Sequence, residues 1–156
     1  MELRFAVELP VPFPQAERAL LRAPGDWVPG VARAAEAGGA RILSEVGIGR
    51  APGRVSKQVE VQLAHPFRFE SKTVLPMRWD PTGAAGLLPG LEAMLELERA
   101  DAGHARLSIR ADYEPPLGAV GRVIDRAMLH RVAEATVKDF IERAGEALQG
   151  LATQEP

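Results

Sequence analysis

The sequence predicts an α+β fold: a curved antiparallel sheet of about six strands, two short helices, and one long C-terminal helix packed across the sheet. Three observations lead there. Residues 114–150 read as one helix, with Pro115 and Pro116 suited to its first turn and Gly150 to its end. Upstream, stretches of period-2 alternation follow one another with turn-like links from residue 41 to residue 113, the pattern of an antiparallel meander with one wet face. A sheet with one dry face needs a cover, and the terminal helix is the only large apolar element left to supply it.

The elements follow in order. Residues 2–9 place Leu3, Phe5, Val7 and Leu9 on one side and Glu2, Arg4 and Glu8 on the other, a half-buried strand ending at Pro10. PVPFP is an extended connector, and Pro14 opens a short helix through about Arg22. Asp26 caps a second short helix from Trp27 to about Ala37, with Pro29 in its first turn and GGA at its end. Residues 41–48 form the second strand, with Ile42, Ser44, Val46 and Ile48 sharing a face. The glycine-rich GIGRAPGR leads to a third, 55–63, where Val55, Val59, Val61 and Leu63 alternate with Ser56, Gln58, Glu60 and Gln62. The fourth, 67–79, sets Phe67, Phe69, Ser71, Thr73, Leu75, Met77 and Trp79 on the richest inner face of the chain and Arg68, Glu70, Lys72 and Arg78 in solvent. After the loop DPTGAAGLLPG, Leu91, Ala93, Leu95 and Leu97 mark a fifth strand. After ADAGH, Ala105, Leu107, Ile109, Ala111 and Tyr113 mark a sixth.

Composition narrows the function. A chain of 156 residues, 46% hydrophobic and 26% charged, suits one domain with one core, placed at 1–150 with a short tail at 151–156. The formal charge of -2 and the lack of a basic stripe argue against a nucleic-acid partner. With no cysteine there is no disulfide framework, thiolate metal site or cysteine nucleophile, which fits a reducing compartment. The start MELRFAVELP has no charged region followed by an apolar core, and no run reaches the ~18 apolar residues of a transmembrane segment, so a soluble, cytoplasmic protein is expected.

With the phrases FAVELPVP, DWVPGV around Trp27, HPFRFE at the start of the fourth strand, and DYEPPLGAVGRVIDRAMLHR leading into the helix, residues 2–150 resemble the START-like or SRPBCC superfamily. That superfamily includes polyketide cyclases and aromatases, coenzyme-Q-binding proteins, lipid-transfer domains and the birch-pollen allergen class. The resemblance implies the helix-grip fold, with a cavity between the inner face of the sheet and the helix. It implies a lining of Phe69, Thr73, Leu75, Met77 and Trp79, joined by Leu95 and Tyr113 from neighbouring strands and Trp27 from the short helices. Such a lining suits a hydrophobic small molecule or lipid oriented by Ser44, Ser71, Thr73 and the Tyr113 hydroxyl. The same residues equally serve as the fill of a core.

Binding by a carrier, sensor or chaperone is therefore the favoured function, because no catalytic motif stands out. The enzyme alternative resembles the polyketide cyclase/aromatase branch, with Arg78 and Tyr113 steering water or protons; Arg78 has outer parity unless a bulge at Pro76 reverses it. A further alternative is an interaction module with a filled core. His65, His104 and His130 share no metal-ligand spacing, so neither a metal nor a cofactor is expected. There is no GxSxG elbow, and GIGRAPG lacks the GK[ST] ending of a phosphate loop and reads as a hairpin loop. Glu60, Glu70 and Asp80 read as solvated charge.

The helix does not keep one apolar phase at about 100° per residue. Leu117, Val120, Ile124, Ala127 and Met128 lie on one side; Leu129, Ala133, Val137, Phe140, Ala144 and Leu148 lie nearly opposite. With the C-terminal half on the sheet, Arg122 and Arg126 come toward the pocket mouth, while Leu117, Val120, Ile124 and Met128 face away. Either the short helices or a local kink cover that patch, or it docks a second subunit, as in a homodimer, or a membrane surface, while Arg122 and Arg126 meet an anionic ligand head group.

Overall fold

The computed structural model describes residues 2–22, 24–28, 42–48, 55–81, 90–114 and 126–154. In chain order the elements are β1 (Glu2–Leu9), α1 (Phe13–Arg22), α2 (Pro24–Trp27), β2 (Ile42–Ile48), β3 (Val55–Leu63), β4 (Phe67–Arg68), β5 (Lys72–Pro81), β6 (Gly90–Asp101), β7 (His104–Glu114) and α3 (Arg126–Gln154). The strands form one antiparallel sheet in the order β1-β7-β6-β5-β3-β2, with β4 paired to β5. The meander is thus extended on its β7 side by the first strand of the chain. The alternation in each strand sets which face is dry: Leu3, Leu75, Met77, Trp79, Leu95, Leu107 and Ile109 are all buried.

Helix α3 contacts both edge strands, β1 and β2, as well as β7, and α1 and α2 pack against it. This is the α+β helix-grip architecture, with the sheet curled around one helix. The buried stripe of α3, Ala133, Thr136, Val137, Phe140, Ile141, Ala144, Leu148 and Ala152, recurs every three to four residues, as a single core-facing side requires. Gly145 lies where the helix comes closest to β1: a Cβ there would stand 2.8 Å from Val7 Cγ2.

The sequence reading needs three corrections. The expected strand 67–79 is a hairpin. Phe67 pairs with Val74 and Arg68 with Thr73, and the Phe69 N–H donates to the Lys72 carbonyl at 2.8 Å, leaving Glu70 and Ser71 as a two-residue turn. Such a turn moves the odd positions before it to the face occupied by even positions after it. Phe67 and Phe69 are therefore on the outer face, 59% and 61% exposed, Ser71 is exposed at the tip, and Arg68 joins Thr73 on the inner face. From Thr73 to Trp79 the expected parity holds.

Gly150 does not end the last helix, which runs on to Gln154. An exposed helical glycine costs about 1 kcal/mol relative to alanine, and the buried Ala152 beyond it supplies packing that the expected cap ignored. The start expected for this helix, 115–125, lies outside the described residues. Helix α2 begins at Pro24, a residue suited to a first turn, so Asp26 is inside it rather than capping it and Trp27 ends it. Val28 precedes Pro29, which disfavours helical backbone there; the expected helix beyond it, 29–37, lies outside the described residues.

Candidate functional site

Across the inner face the register aligns Tyr113 of β7, Leu91 of β6, Trp79 of β5 and Val61 of β3 in one row, and Ile109, Leu95 and Leu75 in another. All are buried. Phe140 of α3 comes down on the first row and meets the Trp79 ring edge-on. This surface is hydrocarbon and aromatic ring, matched to an apolar guest or to the core itself.

Polarity enters at two points. At the first, Tyr113 Oη lies 3.1 Å from His130 Nδ1, and His130 Nε2 lies 3.1 Å from Glu134 Oε1 one turn along α3. In the imidazole whose Nε2–H donates to Glu134, Nδ1 is the acceptor and the Tyr113 hydroxyl donates to it. Burial raises the Tyr113 pKa above the ordinary phenol value, and the Glu134 charge pushes it further. The chain runs from a buried phenol through a half-buried imidazole to a half-exposed carboxylate. It can pass a proton between the inner face and solvent.

The second point is a lock. Glu17 occupies the buried face of α1 among Phe13, Ala16 and Leu20. Its carboxylate accepts hydrogen bonds from the Thr73 hydroxyl and, at 2.8 Å, from Arg68 Nη2. Burial alone would raise its pKa, but the Arg68 and Thr73 hydrogen bonds and the Arg68 charge outweigh it and hold the group below the usual range. The bonds tie α1 to the β4–β5 hairpin. Sequence reasoning named Tyr113 and Thr73 as polar groups of the site but missed the partners of both. The signal for Glu17 was present, since positions 13, 16, 17 and 20 form one helical face and an acid there needs a partner. His130 and Glu134 were legible only as an i, i+4 pair, because nothing in the sequence brings Tyr113 to them.

The expected site residues divide accordingly. Leu75, Met77, Trp79, Leu95 and Tyr113 lie together on the inner face. Thr73 is there too, but its hydroxyl proton is committed to Glu17. Trp27 is fully buried, and its indole N–H donates to the Leu20 carbonyl at 2.9 Å, so it fastens α2 to α1 and offers the interior only ring surface. Phe69 and Ser71 do not belong to the inner face, for the hairpin reason above. Arg78 is exposed on the convex face and Pro76 stays in register opposite Met94, so no bulge turns Arg78 inward. Ser44 pairs with Val59 near the β2 edge. Arg122, Leu117, Val120 and Ile124 lie outside the described residues, while Arg126 and Met128 fall in the first turn of α3. Among the described residues no three His, Cys, Asp or Glu side chains are grouped to hold a metal, and no described helix is long and apolar enough to cross a membrane.

No protein-family model matches the sequence, and no curated protein matches it. Solved structures do. The chain is similar to the Zhui aromatase/cyclase from Streptomyces sp. R1128 (TM-score 0.60, 14% identity, covering 99% of this chain and 94% of that one). It is similar to a START superfamily protein from Mycobacterium smegmatis (TM-score 0.56, 14% identity, 98% and 97% covered). It is also similar to Ara h 8.0201 (TM-score 0.55, 17% identity, 99% of each chain covered). The described residues therefore carry a START-like, helix-grip fold.

Proposed function

We propose that the chain binds a hydrophobic small molecule or lipid between the inner face of the sheet and α3, as a carrier, sensor or chaperone. The observation that carries this reading is the contrast on that face: Leu75, Met77, Trp79, Leu91 and Leu95 offer only apolar contact, and the Tyr113–His130–Glu134 chain supplies a polar end. A ligand with an apolar body and one hydroxyl or carbonyl matches such a surface. Arg126, in the first turn of α3 beyond His130, suits an acidic substituent on the same ligand. Native mass spectrometry of protein purified from its own cells tests the reading. A co-purifying apolar small molecule, lost or weakened in Tyr113→Phe, is the expected result; ligand-free protein that also fails to take up an apolar fluorescent probe would overturn it.

A second reading, cyclase- or aromatase-like proton transfer on the bound molecule, draws on the order of the same hydrogen-bond chain and on the likeness to the Zhui aromatase/cyclase. The phenol would meet the substrate and the imidazole, oriented by Glu134, would take or return its proton. Under this reading His130→Ala abolishes turnover of a bound polyketide-like carbonyl compound while leaving its affinity within a few-fold.

A further inference from the structure

Among the described residues, the exposed large apolar side chains gather in one place. Phe67, Phe69 and Met94 are 59%, 61% and 41% exposed. The register sets them on one corner of the convex face, with Phe67 opposite Val74 and Met94 opposite Pro76 on adjoining strands. A groove of about 440 Å³ opens at Met94, lined on one side by Ala64, Pro76 and Met94 and elsewhere by charged side chains including Arg78 and Glu92. This is the wet face of the sheet, where the alternation elsewhere places charge, and nothing in the hairpin's turn geometry requires phenylalanine at either position. A contiguous apolar patch of this kind marks an interaction surface.

The charges around the patch indicate what it meets. Lys72, Arg78 and Arg110 are interleaved with Glu92, Glu96 and Asp112: Arg78 sits opposite Glu92, and the Lys72 ammonium is 3.1 Å from Glu96. An anionic membrane surface selects a net positive rim. A rim carrying both signs is self-complementary, as a two-fold interface requires, because the patch must there match itself. We propose that this convex corner pairs with the same corner of a second copy of the chain in an isologous homodimer. The rings of Phe67 and Phe69 pack on the Ala64, Pro76 and Met94 side of the groove in the second copy, and the charges of both signs along its other side set the register. The inference is independent of the inner-face ligand.

Sedimentation velocity across a micromolar dilution series tests it. The wild-type protein should sediment as a dimer that dissociates on dilution. Phe67→Ser with Phe69→Ser should raise the dissociation constant roughly a hundredfold, since central aromatic anchors dominate such interfaces. Met94→Lys, on a different strand, should weaken the dimer independently of any effect on the hairpin. At concentrations low enough for the wild type to be monomeric both variants should keep its thermal transition, because these side chains are exposed in the single chain. A wild-type monomer throughout the series, or a dimer unaffected by either variant, would overturn the proposal. So would a monomer that co-sediments with phosphatidylserine vesicles through Phe67 and Phe69.

Discussion

The Trp79 ring meets the Phe140 ring edge-on, with centroids 5.3 Å apart and planes at 65°. Both rings are buried, so the C-terminal part of β5 and the middle of α3 are joined by one aromatic contact. Replacing Phe140 by alanine removes this contact and leaves a cavity, with an expected loss of about 3–5 kcal/mol. Urea denaturation checks it; a loss below about 1 kcal/mol would mean that the helix does not depend on that ring.

Glu17 gives the fold a pH dependence whose sign is fixed. Its folded-state pKa lies below the ordinary value of 4.5, so its stabilising contribution is complete above that value and is lost as pH falls through the folded-state pKa. Glu17→Gln should cost about 1–3 kcal/mol near neutral pH, because the buried Thr73 hydroxyl loses a charged acceptor in the interior. Denaturation at stepped pH below 4.5 should show the variant losing less stability than the wild type.

Tyr113 is the only tyrosine in the chain, so the phenolate absorbance of the whole protein reports on it alone. Its titration in the folded protein should have a midpoint above 10. Glu134→Gln should move that midpoint down, since a negative charge has gone. The unfolded chain ionises first, so stability declines as pH rises past 10.

Gly145 and Val7 form a coupled pair. Gly145→Ala gains about 1 kcal/mol of helix propensity but presses a methyl to 2.8 Å from Val7 Cγ2, and a β-branched side chain has little freedom to yield. The alanine should therefore be neutral or destabilising in the wild type and stabilising in a Val7→Ala background. A double-mutant cycle measures the difference; strict additivity would place the helix farther from β1 than described.

What the sequence made legible was set by period. The alternation along β1, β6 and β7, and along β5 from Thr73 onward, survives because one face of the sheet is dry, and the stripe from Ala133 to Leu148 survives for the same reason on the helix. The hairpin at Glu70 and Ser71 was hidden because alternation continues unbroken through a two-residue turn, so Phe69 carried the right pattern on the wrong face. The inner-face residues Leu75, Met77, Trp79, Leu95 and Tyr113 were within reach of parity alone. The partners that give the site its chemistry were not, since the pairings of Tyr113 with His130 and of Thr73 with Glu17 are tertiary.

The pairing of β1 with β7 sets the order in which the chain can assemble. Glu2 finds its partner only at Asp112, and α3, which touches β1 and β2 at once, comes later still. Contacts so distant along the chain must close a long loop before they reward it, which slows folding. During synthesis β1 leaves the ribosome long before β7 is there to pair with it, and the dry face stays wet until α3 emerges. A chain truncated before α3 should therefore be bound by chaperones rather than released, and refolding of the intact protein should be slow for its size.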